Sequence, residues 1–326
     1  MNEAERGARA QGRGVAGGPR LLAAAASLAL VLTPASALAA ADEAETPSLV
    51  ATTEVLGAVV AELAGDVADV HVLMPSGADP HAWEPSARDA ERLLEADLVV
   101  ANGLDLEEGL QPVLDVVRSE GVPVFEAAAH VDVRELGPDH DEDADPEEDA
   151  DHEEDADHDH GAADPHIWTD PLAMRDVVAA LADDLSGLGV DVSEQAAATI
   201  AGLESLDAEV REILAGIPPE QRKLVTGHES MGYFADRYGF ELVGTVVPGL
   251  TTDGEPSARE LSELISEVRE AGVSVVFSEV GTPRAVARAV ADDSGARLVE
   301  LSTSQLPEGG GYDDLIRAIA GDIAAA

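Results

Sequence analysis

The sequence predicts an α/β protein of two lobes with a helical stretch between them. Two observations carry that reading. From 46 to 170, and again from 217 to 326, short β-branched runs alternate with segments of helical periodicity, the pattern of parallel sheets covered by helices. Between them, 171–216 is helical almost throughout and has no strand-like run.

The elements follow in order. In the first lobe "SLVATT" reads as a strand and "EVLGAVVAELAG" as a helix closed by glycine. "VADVHVLM" is a strand. "SARDAERLLEA" is a helix with Ser86 as its N-cap. "DLVVANG", "LEEGLQPVLDVVRSEG" and "VPVFEA" complete the lobe as strand, helix and strand. The intervening segment holds "LAMRDVVAALADDLSGLG" and "SEQAAATIAGLESLDAEVREILAGI", both with apolar residues at helical spacing. The second lobe runs "KLVTGH" (strand), "ESMGYFADRYG" (helix), "FELVGTVV" (strand), "SARELSELISEVREAG" (helix), "VSVVFSE" (strand), "TPRAVARAVADDSG" (helix), "RLVELST" (strand) and "YDDLIRAIAGDIAAA" (helix).

Two segments stand outside this pattern. Residues 1–40 have the layout of an export signal: a basic start with Arg6, Arg9, Arg13 and Arg20, the apolar run "LLAAAASLALVL", and small residues near Ala39 and Ala40. The expectation is a cleaved leader and a mature protein outside the cytoplasm. Residues 139–161, "DHDEDADPEEDADHEEDADHDHG", have no apolar period and no aromatic. They read as a disordered acidic loop carrying His140, His152, His158 and His160.

Composition narrows the partners. Asp+Glu number 66 against Lys+Arg 19, a formal net charge of −47. Such a chain is repelled by nucleic acid and anionic lipid and suits a cation or a basic protein face. Adaptation to high salt is the competing source of that charge. The chain has no cysteine, which excludes disulfides, thiolate metal sites and a lipid-anchored Cys. Any metal must be held by nitrogen and oxygen.

One hexapeptide frame occurs twice. "ADPHAWEP" (78–85) and "ADPHIWTDP" (163–171) share Ala-Asp-Pro-His-x-Trp, and the chain's only two tryptophans, Trp83 and Trp168, fall within them. Proline stiffens the backbone before His81 and His166. Asp79 and Asp164 are placed to accept a ring N–H, and each Trp could wall a site. His228 ends the strand "KLVTGH", so all three histidines lie at loop or strand-end positions, where α/β lobes present ligands. Three imidazoles with an oxygen donor suit tetrahedral zinc. Glu279, ending "VSVVFSE", is a candidate fourth ligand, with a structural role or a water in its place as alternatives. His71, within a strand, and His130, in a loop, read as non-ligands. H-E-x-x-H, G-x-S-x-G and the phosphate-loop pattern are missing from the sequence, and its one G-x-G-x-x-G match, at 12–17, lies in the leader-like segment. A zinc-dependent hydrolase therefore lacks a recognisable base, and stays the alternative from another functional class.

"GADPHAWEPSARD", "DPHIWTDP", "VTGHESMGYFADRYG" and "VFSEVGTPRAVARAVADDSGARLVEL" together resemble the solute-binding proteins of zinc and manganese ABC transporters, the ZnuA/TroA-like family. The resemblance covers nearly all of the mature chain. It implies two Rossmann-like lobes with parallel sheets joined by a long rigid helix, and a metal site in the inter-lobe cleft. It implies that His81, His166 and His228 are metal ligands, with no catalysis, in a monomer that delivers its ion to a membrane permease. The sequence departs from the family where many members carry an Asp ligand: "LSTSQL" (301–306) has no carboxylate. Three histidines lean toward Zn2+ over Mn2+, which takes more oxygen ligands. In this setting His140, His152, His158 and His160 read as an auxiliary, weak metal-capture segment.

Overall fold

The structure, a computed structural model, describes residues 46–136 and 163–326. The export segment and the acidic loop with its four histidines lie outside the described residues. The first lobe is a four-stranded, all-parallel sheet in the order β2-β1-β3-β4. Its strands are β1 (Ser48–Ala51), β2 (Asp69–Val72), β3 (Leu98–Ala101) and β4 (Val124–Glu126). The central strands are aliphatic on both sides because both faces are covered. Leu49, Ala51, Leu98 and Val100 enter the main core, while Val50, Val99 and Ala101 enter a separate core. The period of two along a strand places them so. Helix α1 (Glu54–Ala64) covers the first face. Helices α2 (Ala87–Leu94) and α3 (Gln111–Ser119) supply Leu93, Leu114 and Val117 to the other. Ser86 caps α2 as expected, in a reciprocal bond with Asp89.

The helical stretch forms two helices: α4 (Pro171–Gly187) and α5 (Ser193–Leu214), which pack on each other. Asp170 caps α4 by accepting from Leu172 N–H, and Pro171 occupies the first turn, where its missing N–H costs nothing. The 22 residues of α5 span about 33 Å. It packs on α1 of the first lobe and, in the second, on α9 (Tyr312–Ala325). One core therefore runs through both lobes: Leu49, Leu98, Leu181, Leu206, Leu224, Phe277 and Ile316 all belong to it.

In the second lobe, β5 (Lys223–Thr226) pairs with β6 (Glu241–Thr245), and β7 (Val275–Ser278) with β8 (Arg297–Glu300), all parallel. Among the described residues these are two separate ladders, and β5 and β7 are neighbours without a shared ladder. Helices α7 (Ala258–Ala271) and α8 (Arg284–Ser294) enclose a third core with Val225, Val246 and Val276. The short α6 (Gly232–Tyr238) starts three residues later than the periodicity suggests, leaving Glu229, Ser230 and Met231 as an irregular turn. No described helix is long and apolar enough to cross a membrane.

The bridging helix carries both lobes, so its core contacts bear on the whole molecule. Leu206→Ala, at a position with no exposure, is expected to cost about 2–5 kcal/mol of folding stability, read from the denaturant midpoint.

Candidate metal centre

The site is built at carboxyl ends of parallel strands, as ligand sites in open α/β sheets are. His81 lies on the loop after β2, and His228 follows the end of β5 by two residues. His166 sits just before the turn that leads into α4. The structure brings all three together. Nε2 of His166 lies 3.2 Å from Nε2 of His81 and 3.1 Å from Nε2 of His228. These three are the group of described residues able to hold a metal, each buried and each offering one nitrogen. A cavity of about 10 Å3 opens on the three rings, walled by Trp168, Val280, Thr303 and Ser304.

Each ring is oriented differently. Asp164 Oδ1 lies 2.8 Å from His166 Nδ1 and also accepts the His166 backbone N–H at 3.0 Å. A carboxylate facing Nδ1 places the proton there, so Nε2 presents a lone pair. Asp164 is itself held: its second oxygen faces Arg134 at 3.4 Å, and its carbonyl accepts from the Tyr233 hydroxyl. Gly232 makes this possible. A Cβ there would stand 2.4 Å from Asp164 Oδ2 and 2.7 Å from Arg134.

His228 Nδ1 lies 2.8 Å from Glu279 Oε2, close enough for an ion pair but off the axis of a hydrogen bond. The Ser230 hydroxyl reaches both Glu279 oxygens, at 2.9 and 2.8 Å. The structure thus corrects the picture of Glu279 as a ligand beside the histidines. It stands behind His228, because the end of β7 delivers it to the Nδ1 side of that ring. With Glu279 facing Nδ1, His228 also turns Nε2 inward.

The surroundings shift the rings apart in proton affinity. Burial, reinforced by His166 and His228, pushes His81 down to about 3. Burial also lowers His166, against the pull of Asp164. For His228 burial acts downward, but the Glu279 carboxylate outweighs it and the net direction is up. His81 and His166 are therefore held neutral, as metal ligands must be.

Other expectations divide. Trp168 walls the site, its ring 5.3 Å from that of His166, and its Nε1–H donates to Thr303 carbonyl. Trp83 does not: it packs against the core under α2 and α3. Asp79 is no ring acceptor. Its Oδ1 takes the His81 backbone N–H and its Oδ2 the Thr252 hydroxyl. His71 is exposed on edge strand β2. His130 stacks on Phe125, ring centroids 4.6 Å apart. Neither approaches the triad.

Sequence reasoning missed a second support for His166. Buried Glu107 accepts from Thr52 hydroxyl at 2.6 Å and from Asn102 N–H at 2.8 Å. Asn102 in turn donates its side-chain amide to Pro165 carbonyl, the residue before His166. The run "NGLDLE" gave no charge partner to suggest this, because Glu107 is satisfied by a hydroxyl and by backbone.

Residues 49–326 match the family "Zinc-uptake complex component A periplasmic", ZnuA. The chain belongs to this family. Its members are solute-binding receptors rather than enzymes. The manganese-binding lipoprotein MntA of Halalkalibacterium halodurans is 29% identical over 284 residues, 84% of this chain and 85% of that protein. The zinc-binding protein TroA of Treponema pallidum is 29% identical over 231 residues, 70% of this chain and 69% of that protein. The solved structure of periplasmic zinc-binding TroA from the same organism superposes with a TM-score of 0.72 at 27% identity, covering 86% of this chain and 99% of that one. The two-lobed α/β architecture is therefore that of the metal-receptor family.

Two outcomes follow. Asp164→Asn denies the His166 Nδ1–H its carboxylate and is expected to weaken metal binding about 10–100-fold, measured by chelator competition. Glu107, raised by burial against the hydrogen bonds it accepts, binds its proton more tightly folded than unfolded. Its stabilisation is complete below the ordinary carboxylate range and is lost as pH rises through the raised value. Melting temperature across pH 4–8 should show that loss in the wild type, and Glu107→Gln should flatten it.

Proposed function

We propose that this protein is an extracytoplasmic zinc receptor that holds Zn2+ between its lobes on His81, His166 and His228 and delivers it to an ABC permease. The observation that carries the reading is the convergence of three Nε2 atoms at 3.1 and 3.2 Å. Zinc binds imidazole nitrogen at about 2.0–2.1 Å, so ligands on a tetrahedron stand about 3.3 Å apart. The two spacings to His166 Nε2 are close to that value.

The donor set supports zinc over manganese. Among the described residues no carboxylate belongs to the cluster, and Glu279 is engaged with His228 and Ser230. Manganese favours a site richer in oxygen. The relatives include both kinds, a manganese-binding lipoprotein and zinc-binding receptors, so the donor set rather than kinship carries the choice. The leader-like segment 1–40 and the periplasmic description of the family support export. Family membership supports a membrane permease as the partner. The histidines of the acidic insert, His140, His152, His158 and His160, are assigned weak collection of the same ion.

The test is a metal titration of the chelator-stripped protein, with Zn2+ and Mn2+ in parallel, competed against a chelator of known strength. One tight zinc equivalent is expected, lost in His166→Ala, with manganese much weaker. Tighter manganese would make this the manganese receptor of the family. Weak binding of several equivalents, unchanged by His166→Ala, would remove the cleft site altogether.

A further inference from the structure

The two copies of Ala-Asp-Pro-His-x-Trp use their aspartates differently. Asp164 serves the ring of its histidine. Asp79 serves only the backbone of its own: Oδ1 accepts the His81 N–H at 3.1 Å. That leaves Oδ2 free to reach out of the lobe, and it does so. It accepts the hydroxyl of Thr252 at 2.7 Å, across 173 positions of sequence. Thr252 lies on the connection between β6 and α7, in the second lobe.

A third segment closes on the same point. Gly281, in the turn after β7, has φ +83, and a Cβ there would stand 2.3 Å from Asp79 Oδ2 and 2.6 Å from Thr252 Cγ2. Only glycine holds that backbone without strain and also lets Asp79 and Thr252 meet. Gly281 is two residues beyond Glu279, the carboxylate behind His228. The contact therefore joins the loop that carries His81 to the strand end that steadies His228.

We propose that Thr252 is a positioning residue for metal retention: its hydroxyl clasps Asp79 across the mouth of the cleft, and this bond sets how slowly the ion leaves. The inference rests on the zinc reading of the triad. His166 and His228 each have a carboxylate at Nδ1, whereas His81 is steadied through its backbone by Asp79. Among the described residues, the Asp79–Thr252 bond is the side-chain hydrogen bond that ties the His81 loop to the opposite lobe. That bond exists in the closed arrangement and is broken when that loop parts from the second lobe, so it favours the closed state alone. A contact of that kind acts on dissociation more than on association.

The experiment is stopped-flow release of Zn2+ to excess chelator from the full chain, followed by Trp168 fluorescence, with association measured separately. Thr252→Val removes the hydroxyl and keeps the branched shape. Release is expected to be about tenfold faster, the effect of losing a hydrogen bond to a charged acceptor, with association within about twofold and the metal-free melting temperature unchanged. Thr252→Ser should restore slow release. Unchanged release in Thr252→Val would overturn the clasp. So would faster release accompanied by a lower metal-free melting temperature and no rescue by serine, since that is loss of structure. A wild type without a tight zinc site would overturn the reading of the triad instead.

Discussion

The site depends on three imidazoles being held face to face in a buried pocket. His166 Nδ1 meets Asp164 and His228 Nδ1 faces Glu279, so both rings turn Nε2 inward, 3.1 Å apart. His81 brings a third Nε2 within 3.2 Å of that of His166. Burial holds His81 and His166 below the usual imidazole range, whereas Glu279 draws the proton to His228. A cation bound by all three nitrogens would displace that proton, because a metal takes the neutral imidazole.

Holding such an arrangement requires stiffness from outside the triad, and the fold supplies it in layers. Asp164 is pinned by Arg134 and Tyr233, and Glu279 by Ser230. The His166 loop is pinned again by Asn102, which a buried Glu107 orients. Arg237 on α6 grips Asp170 at the start of α4. Tyr312 on α9 donates to the Trp168 carbonyl. The His166 segment is thus fastened to the second lobe from several sides, while the His81 loop is not. That asymmetry separates the two halves of the repeated hexapeptide: one is tied at several points, the other through Asp79 and Thr252.

The bridging helices make this asymmetry useful. Because α5 packs on α1 and on α9, and one core runs through both lobes, the lobes share a spine. The strand-end loops that hold the histidines are therefore set on a common frame, and they are themselves buried and hydrogen-bonded.

The sequence by itself determined the α/β class, the order of strands and helices, Ser86 as a cap and the three histidines. Each of these rests on local chemistry: side-chain periodicity, proline before histidine, and the strand-end position of His228. Tertiary structure alone decided what faces each ring. Asp79 and Asp164 share one local motif, yet only Asp164 has an imidazole within reach, because the Thr252 loop and Gly281 take Asp79 for the opposite lobe. Trp83 and Trp168 diverge for the same reason, one packed under α2 and α3 and the other against His166. Glu279 sat at the right strand end, but which side of His228 it met depended on how two ladders pack, and a sequence pattern holds no record of that. Periodicity shows which face of an element is buried; the partner across the gap comes from the other end of the chain.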